Sequence, residues 1–168
     1  MRVAVTGTPG TGKTTAVKRL DTDFDVVHLN DLVRNAGLST GEDDERGSLI
    51  ADLDALEARF DGRDDVLVES HLAHHLDVER VVVLRCRPER LENRLIARGE
   101  REAKARENAE AEALDLILSE AVDAHGLDAV YEVDTTDRDP DAVAEEIRAV
   151  IDGEREPSAG DVDFTEYL

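Results

Sequence analysis

Cysteine is almost missing from this chain: Cys86 stands alone among 168 residues, so no internal disulfide can form. Aromatic residues make up only 3% and tryptophan is absent, while 40% of the chain is apolar. The core must therefore be built from Val, Leu, Ile and Ala, and stacking on aromatic rings is a scarce resource for holding any ligand. No apolar run is long enough to span a bilayer and no secretory pattern opens the chain, so a cytoplasmic protein is expected. Lysine is reduced to Lys13, Lys18 and Lys104, and positive charge as a whole is short: 20 Lys and Arg face 41 Asp and Glu, a formal net charge of −21. Such a field opposes nonspecific binding to nucleic acid or to an anionic membrane. It also repels itself in the compact state unless ions screen it, which points to a salt-rich, halophilic cytoplasm.

What is present begins at residue 7. Gly7-Thr8-Pro9-Gly10-Thr11-Gly12-Lys13-Thr14 is a complete G-x-x-x-x-G-K-[ST] phosphate loop. It follows Arg2–Thr6, which reads as a buried strand, and precedes a helical run from Lys13. In that context the backbone N–H groups turn inward around phosphate oxygens and the helix N-terminus adds partial positive charge. Gly10, Gly12, Lys13, Thr14 and Thr15 are the candidate ATP-binding residues. Lys13 is placed to reach the β- and γ-phosphates, and the Thr14 hydroxyl to ligate Mg²⁺.

Along the chain, strands are expected at Arg2–Thr6, Asp25–Leu29, Asp65–Glu69, Arg80–Arg85 and Ala129–Asp134. Helices are expected at Lys13–Leu20, Asp31–Ala36, Glu45–Phe60, Pro88–Arg98, Glu102–Ala124 and Pro140–Gly153. The alternation implies an α/β three-layer sandwich around a five-stranded parallel sheet. Residues 153–168, acidic and broken by Pro157 and Gly160, read as a mobile tail, with the closing Phe-Thr-Glu-Tyr-Leu a candidate docking motif.

A phosphate loop alone does not separate a kinase from an ATPase. Arg98-Gly99-Glu100-Arg101 forms a basic turn whose arginines could close over a transferring phosphoryl group; equally, Arg98 suits a helix C-terminus followed by Gly99 as its cap, and both roles are compatible. Arg34, in Asp31-Leu32-Val33-Arg34, could grip the phosphate of a second nucleotide or simply lie on a surface helix.

Taken together, the phosphate loop, Asn30-Asp31-Leu32-Val33-Arg34, Val68-Glu69-Ser70-His71 and Arg98-Gly99 resemble the adenylate kinase isoenzyme 6 family, nuclear-type adenylate kinases of archaea and eukaryotes that also act in small-subunit ribosome maturation. The resemblance covers residues 1–152 and implies a nucleoside monophosphate kinase-like P-loop fold. It implies a monophosphate-binding segment at 28–51 and a lid at 97–107. The implied activity is phosphoryl transfer from ATP·Mg²⁺ to AMP or another monophosphate, with slow ATP hydrolysis and a role in 16S rRNA maturation within the 30S subunit. The implied partner is a small-subunit ribosomal protein of the uS11 class, whose basic character suits the acidic surface. By resemblance Arg98 is the lid arginine on ATP, Arg34 the arginine on the monophosphate, and Asn108 and Glu112 contributors from the lid helix.

Two positions depart from the family pattern. Glu69-Ser70-His71 replaces Asp-x-His, so Glu69 becomes the candidate for a Mg²⁺-bound water, one methylene longer. His71 either orients a water or is a loop histidine satisfied by backbone. Glu100 replaces a lid aromatic, which removes that means of stacking on adenine. Lys13, Arg98, Glu69 and His71 are thus the catalytic candidates, and Thr14 and Glu69 the metal-site candidates. His71, His74 and His75 invite a zinc reading, but the sequence lacks the further Cys or Asp spacing of a closed site. Two other functions remain open: an ATP-hydrolysing assembly switch with incidental kinase activity, and a kinase for another small metabolite on the same fold.

Overall fold

The computed structural model describes residues 1–35, 37, 39–43 and 48–168; for 39–43 and 48–51 the description is of the backbone. Strands β1 (Arg2–Thr6), β2 (Asp25–His28), β5 (Val66–Glu69), β6 (Arg80–Arg85) and β7 (Val130–Asp134) form one sheet in the order β2-β5-β1-β6-β7. Every pairing in it is parallel. Between β2 and β5 lie α2 (Leu29–Asn35), an antiparallel hairpin of β3 (Ser39–Asp43) and β4 (Ser48–Ala51), and α3 (Leu53–Phe60). Helix α1 (Lys13–Lys18) follows β1. Helices α4 (Pro88–Ala97), α5 (Glu102–Ala113) and α6 (Leu116–His125) fill the β6–β7 connection, and α7 (Pro140–Ile151) follows β7.

The near-continuous apolar strands are explained by burial on both faces. Side chains alternate across a strand. Val3 and Val5 therefore join Leu67, Val82, Leu84 and Val133 beneath α1 and α7, where Ala16, Val17, Val143 and Ile147 cover them. Ala4 points the other way, with Val66, Val68, Val81 and Val83, against Leu29, Val33, Leu56, Phe60, Leu118 and Ala121 of α2, α3 and α6. A smaller cluster of Cys86, Leu91, Leu95, Ala105 and Ala109 joins α4 to α5. Cys86 is buried there as a small apolar side chain, and burial raises its thiol pKa.

Three expectations change. The helix anticipated over Glu45–Phe60 is confined to α3: Ser48–Ala51 is strand, and residues 45–47 lie outside the described residues, as does Ala36, the last residue of the helix expected at Asp31–Ala36. The helix anticipated over Glu102–Ala124 is two helices. Asp115 takes a left-handed φ of 56° between them and its Oδ1 meets Arg85 Nη2 at 2.6 Å, so a tertiary ion pair overrides helical propensity. Residues 153–168, anticipated as a mobile tail, are seated on the domain. Glu132 Oε1, in the middle of β7, accepts from the backbone N–H of Gly160 at 2.5 Å and Asp161 at 2.9 Å. Phe164 is buried with its ring 5.4 Å from the Arg85 guanidinium, and Tyr167 packs on the α4–α5 cluster while its hydroxyl donates to Glu92 at 3.0 Å.

Candidate active site

The chain leaves β1 at the centre of the sheet, with β5 on one side and β6 on the other, and the phosphate loop opens at the C-terminal strand ends where open α/β sheets hold ligands. Two glycines are required by space. At Gly7, φ is 148° and a Cβ would lie 2.6 Å from the Leu84 carbonyl oxygen; at Gly10, φ is 94° and a Cβ would lie 3.0 Å from Leu95. The loop is braced from behind. Thr11 Oγ1 donates to Thr8 O at 2.9 Å, Thr135 Oγ1 donates to Thr11 O at 2.9 Å, and Arg94 Nη1 reaches Gly10 O at 3.3 Å.

Lys13 is buried and its Nζ donates to Gly7 O at 2.9 Å and Thr8 O at 3.1 Å, so the ammonium is held over the loop by backbone oxygens. Burial lowers its pKa to about 8; the Arg98 charge pushes the same way, and Glu69 and Glu112 oppose it. Thr14 Oγ1 donates to Glu69 Oε1 at 2.7 Å, so the two metal-site candidates are brought together. The same Glu69 oxygen accepts from His28 Nδ1 at 2.9 Å. This pair of hard oxygen donors beside the phosphate loop suits Mg²⁺. His71 lies in the loop after β5, where burial foremost and then the Lys13 charge lower its pKa to about 4, so it is neutral at physiological pH.

A cavity of about 270 Å³ adjoins the loop, lined by Gly10, Gly12, Thr15, Arg98, Arg138 and Val143 among others. Arg98 follows α4, exposed at its C-cap, and lines this cavity. Arg34 is exposed near the end of α2 and does not line it.

Sequence reading missed several participants. His28 falls in an expected strand and at the start of the segment 28–51, with no role of its own assigned to it from the sequence. Arg94 and Thr135, which brace the loop, and Arg138, Pro140 and Val143, which line its cavity, carry no motif and are brought there solely by the fold. A buried ionic cluster also went unseen. Arg85 Nε donates to Glu112 Oε1 at 3.1 Å, Arg85 Nη1 to Glu132 Oε2 at 2.7 Å, and Cys86 N to Glu112 Oε2 at 2.9 Å. Thr8 Oγ1 of the phosphate loop lies 3.4 Å from Glu112 Oε1, which links the cluster to the site. The available signal was a full charge at the end of one apolar strand, Arg85, and in the middle of another, Glu132: buried charges demand partners.

Comparison with known proteins gives the family and the fold. A family profile described as an AAA domain matches residues 3–115. A relative from Natronomonas pharaonis is 66% identical over the whole of both chains, and one from Halobacterium salinarum 67% identical, likewise over the whole of both. A third, from Methanothermobacter thermautotrophicus, is 42% identical over 99% of this chain and 98% of its own. All three bear the name "Putative adenylate kinase". Among solved structures, deoxyadenosine kinase from M. mycoides with bound dCTP has a TM-score of 0.53 at 14% identity, covering 91% of this chain and 100% of that one. A sugar kinase from Janibacter sp. HTCC2649 has a TM-score of 0.56 at 16% identity, over 90% and 94%. At these identities the likeness is one of fold alone, an α/β domain with a parallel sheet.

Proposed function

The chain belongs to the family that these archaeal relatives form, and from that premise we propose that it is an ATP-dependent nucleoside monophosphate kinase of adenylate kinase type. It transfers the γ-phosphoryl group of ATP to AMP or another nucleoside monophosphate. The observation that carries this reading is the meeting of the braced phosphate loop, Lys13, the Thr14–Glu69 pair and the Arg98-lined cavity at one end of the sheet.

In this reading the ATP phosphates lie in the loop, with the base toward Arg138, Pro140 and Val143. Binding draws the Lys13 ammonium from the Gly7 and Thr8 carbonyls to the β- and γ-phosphate oxygens. Thr14 and Glu69 would hold Mg²⁺, which would supply neutralisation of phosphate charge. An oxygen of the acceptor monophosphate, held by Arg34 in segment 28–51, attacks the γ-phosphorus in line; the bond from that phosphorus to the β–γ bridging oxygen breaks and ADP leaves. Lys13 and Arg98 stabilise charge on the transferring group. Closure of the lid at 97–107 excludes water, so transfer outpaces hydrolysis.

The test is nucleotide turnover at about molar KCl, a level chosen to screen the acidic surface, with ATP alone and with ATP plus each monophosphate. ADP formation that requires a monophosphate and disappears in Lys13→Ala is the expected result. ATP loss indifferent to every monophosphate would overturn the kinase reading.

A second reading, an ATP-hydrolysing switch in 30S assembly acting on a uS11-class ribosomal protein, draws support from His71. Neutral at physiological pH and close enough to feel the Lys13 charge, it is suited to orienting a water. Under that reading Glu69→Ala loses hydrolysis and partner release while phosphoryl transfer to AMP persists.

A further inference from the structure

Four of the five histidines, His71, His74, His75 and His125, fall in the loop after β5 and at the end of α6. His74 and His75 close a 3₁₀ turn, Ala73–His75, with ring centroids 4.2 Å apart. Both Nε2 atoms point at one oxygen of α6: His74 Nε2 lies 2.7 Å and His75 Nε2 3.7 Å from Glu120 Oε2. The three donor atoms all lie within 4.8 Å of one another. Glu120 arrives from a different helix, which is why no spacing in the sequence reveals the group.

We propose that His74, His75 and Glu120 form a binding site for a zinc-class divalent cation, separate from the oxygen-lined Mg²⁺ position at Thr14 and Glu69. Two imidazole nitrogens and one carboxylate oxygen are a borderline-soft donor set, which favours Zn²⁺ over Mg²⁺. Metal–ligand bonds of about 2.0–2.2 Å in tetrahedral geometry place ligand atoms roughly 3.3 Å apart. The His75–Glu120 separation is already close to that, and Glu120 needs to draw back from His74 by only about half an ångström.

The surroundings admit an ion in place of the hydrogen bond. His74 is buried, and its other nitrogen, Nδ1, lies 2.8 Å from Thr6 Oγ1. A hydroxyl can donate or accept, so the proton now on Nε2 can be carried on Nδ1 instead, with Thr6 as its acceptor; Nε2 is then free to ligate without loss of a proton from the ring. His125 Nε2 donates to His74 O at 2.7 Å and fixes the turn against α6. The side chains of His75 and Glu120 are 35% and 39% exposed, so the ion has an entry path and its remaining positions belong to water. Three protein ligands and an open position distinguish this from the closed structural site that the sequence argues against.

Chelator-treated protein, free of nucleotide and Mg²⁺, is titrated with Zn²⁺ against a chromogenic chelator, and melting is followed by circular dichroism. One equivalent should bind, with a melting temperature raised by Zn²⁺ and restored by chelator. His75→Ala and Glu120→Gln change exposed or half-exposed side chains; each should keep the folded spectrum, lose at least tenfold in affinity and lose the Zn²⁺-dependent shift. His28→Ala should retain both. Undiminished binding in His75→Ala and Glu120→Gln, loss of binding in His28→Ala, or no binding at millimolar Zn²⁺ would each overturn the site.

Discussion

Replacing Arg85 by methionine is the sharpest test of how the interior is held. The guanidinium makes hydrogen bonds to Glu112, Glu132 and Asp115 and to the Glu112 backbone carbonyl. The side chains of Glu112 and Glu132 are 3% and 1% exposed, so neither can turn to water once their shared cation is gone. Breaking a buried pair by removing one partner costs about 3–5 kcal/mol. A domain of this size has only about 5–15 kcal/mol in all, and about 2–4 °C of melting temperature accompanies each kcal/mol, so the loss should be roughly 6–20 °C. Burial already raises the Glu112 pKa, with the Arg85 charge the foremost opposing influence. In Arg85→Met the Glu112 carboxyl, without that opposing charge, rises further in the folded state, so the folded protein binds more protons than the unfolded one. The penalty is then full near neutral pH and shrinks as pH falls toward the ordinary carboxylate range. Urea unfolding at molar KCl, at pH 7 and again near pH 5, measures this. A deficit under about 1 kcal/mol at pH 7, or one independent of pH, would refute the reasoning.

Other expectations are more local. Lys13→Ala should lower kcat on the order of 10²–10³-fold with the fold retained, read by coupled ADP formation and circular dichroism. Because Lys13 titrates near 8 in the free protein, its charge is present below that pH and lost above it; ATP affinity measured calorimetrically should therefore weaken by up to about tenfold per unit beyond it. Gly10→Ala places a methyl against Leu95 at a positive φ and should destabilise by about 1–3 kcal/mol; pairing it with Leu95→Ala should not restore stability, because the backbone strain remains. Arg34→Ala should raise KM for the monophosphate while leaving KM for ATP unchanged, and equal effects on both would remove Arg34 from the acceptor site. Diluting KCl below about 0.1 M lengthens the Debye screening distance beyond 10 Å, and the folded spectrum should be lost if 41 acidic residues need that screening.

The parallel sheet and its five strands could be read from alternation, and so could the phosphate loop, because its chemistry is local: backbone N–H groups, a lysine and a threonine within eight residues. Glu69 and Arg98 were identified with the help of a family resemblance, and the structure brings Glu69 to Thr14 and Arg98 to the cavity. What stayed hidden depends on distant pairs. Nothing near Asp115 announces a helix break, since the break exists to meet Arg85. Leu49, Leu53, Leu56 and Phe60 share a helical spacing, yet Ser48–Ala51 is a strand, because four residues of one period do not exclude a hairpin. The tail looked mobile because its composition is acidic and poor in apolar residues. It is seated through backbone N–H groups, which composition does not register.

That seat has a consequence for how the protein is made. Glu132 is synthesised 28 residues before Gly160, whose N–H, with that of Asp161 after it, supplies its remaining partners. A nascent chain that has finished all five strands of the sheet therefore still carries, on the edge strand β7, a carboxylate lacking some of its partners, next to the arginine and glutamate that lead to the phosphate loop. A chain clipped before residue 160 should therefore keep its five strands but loosen the Glu132–Arg85–Glu112 cluster, read as a lowered melting temperature. A fusion placed directly after Leu168 sits beside the Tyr167–Glu92 contact rather than on a free end, so a spacer there should preserve stability that a direct fusion lowers.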